Sequence, residues 1–144
     1  MLEKRLGEDI RRITGTENIF QRMNNNYELN GHRLYDAVMK NLFLYKPNGS
    51  IYGEVDIFAV HENKYHKDFI LNEYKSRESH TTKNKAYHQL EKEKSYVIDV
   101  LLNKCKGLNK DVRIYEFFES GSPVKYKLKQ ITTIKHDENL VGVL

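Results

Sequence analysis

The sequence predicts an α/β fold, a mixed β-sheet core flanked by helices in one domain. Three observations carry this. The segments Gly53–Val60 and Phe69–Ser76 are apolar runs joined by a polar loop and read as neighbouring strands. Ala86–Cys105 places Tyr87, Leu90, Val97, Ile98, Leu101 and Cys105 on one helical stripe, with Gly107 as its stop. Val112, Ile114 and Phe118 then alternate with Arg113, Tyr115 and Phe117, the period of a further strand.

Taken in order, Leu2–Ile13 reads as an amphipathic helix, with Leu2, Leu6, Ile10 and Ile13 on one side. Its Lys4, Arg5, Arg11 and Arg12 make either a solvated face or a phosphate-contacting one. Gly15 and Asn24–Asn26 mark loops, and Thr16–Met23 between them has no decisive period. A second helix is expected from Leu29 or Asn30 to Lys40, its apolar side formed by Leu34, Tyr35, Val38 and Leu42 and its start weakened by Gly31. Asn41–Lys46 follows as a strand, Pro47–Ser50 as a turn and Ile51–Val60 as the hairpin partner. Ser76–Lys85 is polar and without period, so it is expected to be a loop. Gly121–Pro123 is a turn, after which Val124, Tyr126 and Leu128 alternate with Lys125, Lys127 and Lys129. Lysines on such a strand either protect a sheet edge or meet a polyanion. The order helix–strand–strand–strand–helix–strand follows from periodicity alone.

At 144 residues the chain has the length of a single domain. It is 39% hydrophobic and 31% charged, with a net charge of +4, an excess compatible with a polyanionic partner. It contains neither an 18-residue apolar run nor a signal-peptide core, so a soluble intracellular protein without a membrane partner is expected. The lone Cys105 falls on a helical apolar stripe and reads as core, and the spacing of Cys and His fits no zinc site.

The chemistry concentrates between Gly53 and Ser76. Asp56 interrupts the apolar run Val55–Val60, and Glu73-Tyr74-Lys75 closes the next strand. Ionisable groups in such strands are costly to bury without a partner or a cation, which makes them functional candidates. Alternation sets Glu54 and Asp56 on one face of their strand, and Glu73 and Lys75 on one face of the neighbour. A structural alternative is an ion pair of the carboxylates with Lys75 or Lys64. An Asp followed after sixteen residues by Glu-x-Lys at a strand end resembles the PD-(D/E)XK nuclease superfamily. Within it, Gly53–Lys75 is most similar to archaeal Holliday-junction resolvases and RecB-like nucleases. The nominal proline is replaced by Glu54-Val55-Asp56. A second triplet, Glu62-Asn63-Lys64, lacks an apolar strand leading into it and serves as the internal control.

The resemblance, which spans Glu28–Tyr96, implies a restriction-endonuclease-like fold and a Mg²⁺-dependent DNA endonuclease, junction-specific or RecB-like, with Mn²⁺ able to substitute. It implies Asp56, Glu73 and the Tyr74 carbonyl as metal ligands and Lys75 as the group orienting or deprotonating water. For a further acidic or His residue, Glu28 is preferred, with His32, Asp36 and Glu54 as alternatives. Gln89 and Tyr96 echo the Gln and Tyr of the helix after the Glu-x-Lys strand, Gln89 with a role at the site. DNA is the implied partner, and a homodimer is implied by analogy with resolvases. The basic and hydroxyl residues of Arg77–Lys85 make either a solvated loop or contacts to the DNA backbone, as Lys125, Lys127 and Lys129 make either a protected edge or such contacts. The alternative is a catalytically silent nucleic-acid-binding module of the same fold.

Overall fold

The computed structural model describes residues 15–23, 28–29, 32–33, 35–102 and 109–135, without the side chains of 28–29, 32–33 and 101. The expected helix Leu2–Ile13, the Asn24–Asn26 loop, Cys105, Gly107 and the tail beyond residue 135 lie outside these residues.

Helix α1 covers residues 15–23, so Gly15 is helical and not a loop residue. Two short strands, β1 (Glu28–Leu29) and β2 (His32–Arg33), pair antiparallel. They and β3 (Ala37–Tyr45) occupy the stretch where a helix was expected. The reason is that Val38, Leu42 and Leu44 also satisfy a period of two, and tertiary pairing with the next strand decides between the two readings. A hairpin turn follows, in which Gly49 adopts φ 87° and the Asn48 side chain accepts from the Ser50 N–H at 2.9 Å. Strands β4 (Ile51–Glu62) and β5 (His66–Lys75) come next.

Helix α2 (His80–Tyr96) starts six residues before the expected Ala86, in what the sequence suggested was loop. Its start is fixed by a capping box, Ser79 accepting from the Thr82 N–H and Thr82 accepting from the Ser79 N–H. The helix continues as a wider π turn over Val97–Leu101. Strands β6 (Asp111–Gly121) and β7 (Val124–Ile134) complete the chain described.

Strands β3 to β7 form one five-stranded sheet in the order β3-β4-β5-β6-β7, antiparallel except for the parallel pair β5–β6. Parallel neighbours need a crossover, and α2 supplies it. The architecture is therefore a single mixed sheet with helices, as the sequence indicated. Strand β5 is central and buried on both faces along Asp68–Glu73. On one face Phe58, Phe69, Leu71 and Ile114 pack with Leu90 and Val97 of the α2 segment. On the other Ile57, Ala59 and Ile70 pack with Ile19 and Met23 of α1. The hairpin end of β3–β4 is tied to α2 by Tyr96, whose hydroxyl donates to the Tyr45 carbonyl at 3.1 Å and whose ring lies 5.4 Å from that of Tyr52. Tyr96 is thus part of the packing. No helix among the described residues is long and apolar enough to cross a membrane.

Because α2 carries half of the site described below, its seating can be tested on its own. Leu90 is fully buried between α2 and the sheet. Leu90→Ala should lower the unfolding free energy by about 2–5 kcal/mol, the range for a large core truncation, read from the urea midpoint at unchanged slope.

Candidate active site

Asp56 sits where β4 departs from regular pairing. The β3–β4 ladder runs from Lys40–Ile57 to Leu42–Val55, stepping over Asn41 and Asp56, and Asn41 has φ 53°. The β4–β5 ladder ends at Ile57–Asn72, one position before Asp56 and Glu73 would face each other. There the Asp56 carboxylate takes the place of the strand and accepts from the Tyr74 N–H at 2.8 Å. A strand residue presents its N–H and C=O to the same neighbour, so the Tyr74 carbonyl shares the edge that faces Asp56.

Glu73 and Lys75 point to the α2 face, as alternation along β5 predicts. Asp56 is 1% exposed and Glu73 fully buried. A third carboxyl, Glu93 of α2, joins them at 3% exposure. With every carboxyl charged, neither oxygen of Glu73 and not Oε1 of Glu93 has a hydrogen-bond donor among the described residues. Burial, then a hydrogen bond to Glu93 and the charges of Glu93 and Asp56, hold the Glu73 carboxyl well above the carboxylate range. Glu93 is pushed up to about 8, chiefly by burial; Glu73 as hydrogen-bond donor and the Lys75 charge work against this, and Asp56 and Glu116 add to it. Burial and mutual proximity thus favour the protonated over the charged forms of this pair.

Beside the carboxyls lies an open groove of about 540 Å³ lined, among the described residues, by Lys75, His80, Thr81, Asn84, Lys85, His88 and Gln89, none of them acidic. The Gln89 Oε1 is buried and has no hydrogen-bond donor among the described residues. The pit is thus acidic and the groove beside it is rich in donors and basic groups. Such a pair can take a cation in the pit and an anion along the groove.

Among the described residues no three His, Cys, Asp or Glu side chains form a ready-made metal cage. Mg²⁺ does not need one, because it keeps several waters and is often held by one or two carboxylates. The donorless oxygens of buried Glu73 and the Asp56 carboxylate fit that requirement, with the Tyr74 carbonyl on the adjoining strand edge.

The structure brings together Asp56, Glu73, Tyr74, Lys75 and Gln89. It does not bring in Asp36, whose Oδ2 accepts from the Glu62 N–H at 2.6 Å. That places Asp36 six residues from Asp56 along β4, about 20 Å at strand rise. Glu54 lies on β4, two residues before Asp56, and pairs with Phe43 of β3. Glu28 and His32 lie on the β1–β2 pair and not on a helix, and their side chains are outside the described residues. Two of the three edge lysines are committed elsewhere. Lys125 pairs with Glu78 at 3.0 Å, and Lys129 bonds Glu91 and, at 3.3 Å, the buried Glu116.

Glu93 is the residue that sequence reasoning missed. The signal was the helical stripe itself: Ala86, Leu90 and Val97 are buried, and the 4-3-4 spacing puts position 93 among them. A glutamate on an apolar stripe marks a buried charge. In comparisons with known protein families, curated proteins and solved structures, no match to this chain is found.

The raised carboxyls fix the sign of a pH effect. A carboxyl at about 8 in the folded chain, against 4.5 when free, binds a proton that the unfolded chain has released. Its contribution is fully present below 4.5 and is lost as pH rises through about 8, and Glu73 acts in the same direction. Stability of the EDTA-treated protein, read as the urea midpoint, should therefore fall between roughly pH 5.5 and pH 8. Glu93→Gln should flatten that fall. A midpoint that rises over this interval contradicts the assignment.

Proposed function

We propose that the chain is a divalent-cation-dependent nuclease that hydrolyses phosphodiester bonds in DNA, on a restriction-endonuclease-like version of its mixed sheet. The observation that carries this reading is the burial of Asp56, Glu73 and Glu93 together, with both Glu73 oxygens and Oε1 of Glu93 lacking a donor among the described residues, beside Lys75 and a basic groove. An ion pair does not account for the cluster. Three carboxyls outnumber Lys75, and a buried pair alone contributes little to stability.

Asp56 and Glu73 would hold Mg²⁺ or Mn²⁺ with the Tyr74 carbonyl, and Glu93 takes the place of the further carboxylate sought at Glu28. It comes from the helix after the strand pair and not from a segment before it. When bound, such a cation neutralises phosphoryl charge and lowers the pKa of water. Lys75 orients the attacking water or accepts its proton, and offsets charge on the phosphate. Gln89 turns an acceptor toward the same space and aligns a donor there, either water or a nucleotide group. Lys85, His80 and His88 line the path of the adjoining strand and meet its phosphates without reading bases. Lys127 and the Arg77–Lys85 segment remain for backbone contact, whereas Lys125 and Lys129 are held in ion pairs.

The test is incubation of linear, branched and single-stranded DNA with Mg²⁺, Mn²⁺ or EDTA. Cleavage is expected with either cation and not with EDTA. Asp56→Asn and Glu73→Gln should each reduce the rate by orders of magnitude with the fold intact by circular dichroism. Cleavage that persists in both variants, or no cleavage of any of these substrates by the wild type, overturns the reading.

Lys75→Ala separates chemistry from binding. It should lower kcat by about 10²-fold or more while DNA affinity stays within a few-fold, because one contact among several acts on developing charge. An unchanged kcat would leave Lys75 with only a structural role.

A further inference from the structure

Tyr74 serves the site through its backbone, and its side chain lies on the opposite face of the sheet, packed against the cluster under α1. The slot it occupies exists because two residues lack a Cβ. A Cβ built on Gly15 of α1 would lie within 2.5 Å of the Tyr74 ring edge and hydroxyl. A Cβ on Gly121, at the end of β6, would collide with the same hydroxyl and approach the Ser76 carbonyl to 3.0 Å. Gly15 is in helical conformation, where alanine is intrinsically preferred, so the close approach of the ring gives the glycine a packing reason.

The strand end that this ring anchors is held weakly from the β4 side. The last β4–β5 pair is Ile57–Asn72, so Glu73, Tyr74 and Lys75 extend beyond that ladder. On the other side they pair with Phe118, Glu119 and Ser120 of β6, next to Gly121. The Tyr74 N–H to Asp56 bond therefore joins a strand end fixed by β6 and by the ring to a carboxylate at an irregular point of β4.

We propose that Tyr74 is a positioning residue, its ring gripped between Gly15 and Gly121 so that its N–H is held against Asp56 and the Glu73–Lys75 strand end keeps its place. The inference rests on the reading of the carboxyl cluster as a cation site. It adds that the geometry of this site is set from the far face of the sheet, through α1 and the β6 terminus.

The experiment measures amide hydrogen exchange by NMR and Mn²⁺ affinity by titration in full-length variants. Gly121→Ala pushes a methyl into the Tyr74 hydroxyl and should speed exchange at residue 74 about tenfold relative to Phe69 and Ile70 further along the strand. Mn²⁺ affinity should weaken by about tenfold, as for loss of a group that orients metal ligands. Adding Tyr74→Phe removes the atom that the new methyl meets most closely and leaves the 3.0 Å approach to the Ser76 carbonyl, so the double variant should recover most of both losses. Exchange at residue 74 that stays in step with Phe69 and Ile70, or a double variant no better than Gly121→Ala, overturns the proposal. If Gly121→Ala does not fold, Tyr74→Ala, which empties the slot, should give the same local acceleration, and its absence overturns the proposal equally. A wild type that binds no Mn²⁺ removes the cation reading, while the exchange ratio still decides whether the ring holds the strand end.

Discussion

Asp56, Glu73 and Glu93 are held out of water by the packing of α2 against β4 and β5, and this burial of three carboxyls is the constraint on which the site depends. Desolvation raises the free energy of each charged form, and mutual repulsion adds to it. Without a cation the cluster must retain protons, as the upward displacement of Glu73 and Glu93 indicates. A bound cation, as proposed, would displace those protons and give the carboxylate oxygens a partner. The Tyr74 N–H, bonded to Asp56, is one fixed dipole that favours a charged carboxylate there.

The rest of the architecture can be read as support for that arrangement. The parallel β5–β6 pair requires a crossover, and the crossover helix lays Gln89 and Glu93 over the strand end that carries Glu73 and Lys75. The β3–β4 hairpin contributes Asp56 at a point where the β3–β4 ladder steps over it and the β4–β5 ladder has ended. Another buried glutamate, Glu116, shows the contrasting solution. Its oxygens receive Gln130 at 2.6 Å and Lys129 at 3.3 Å, with Lys94 at 3.7 Å, so its charge is answered within the chain. Glu73, equally buried, has no such donors among the described residues, and the difference separates a structural carboxylate from a candidate ligand.

Much of this was legible in the residues. The apolar residues Phe69, Ile70 and Leu71 leading into Glu73-Tyr74-Lys75 identified the strand end, and the Asn48-Gly49 turn identified the hairpin, because each signal has a direct physical cause. The segment from Leu29 to Lys40 misled because Val38 and Leu42 fit both a helical and a two-residue period, and only pairing with β4 resolves the ambiguity. The start of α2 was obscured by its polar first turns; Ser79 and Thr82 carried the information as a capping box, without an apolar residue to support it. Glu93 was hidden by reading the helix for its apolar positions and passing over the polar one among them. The lysines of β7 looked like a free basic stripe in sequence, and only their placement beside Glu78, Glu91 and Glu116 shows that two are already paired.

The central claim is that the carboxyl cluster exchanges protons for a divalent cation. Calorimetric titration of the wild type with Mn²⁺ at neutral pH, repeated in buffers of different ionisation enthalpy, measures both events at once. Binding accompanied by release of about one proton or more per ion is the result expected from a pair of raised glutamates. Saturable binding with no proton release, or no binding at all, would contradict the account.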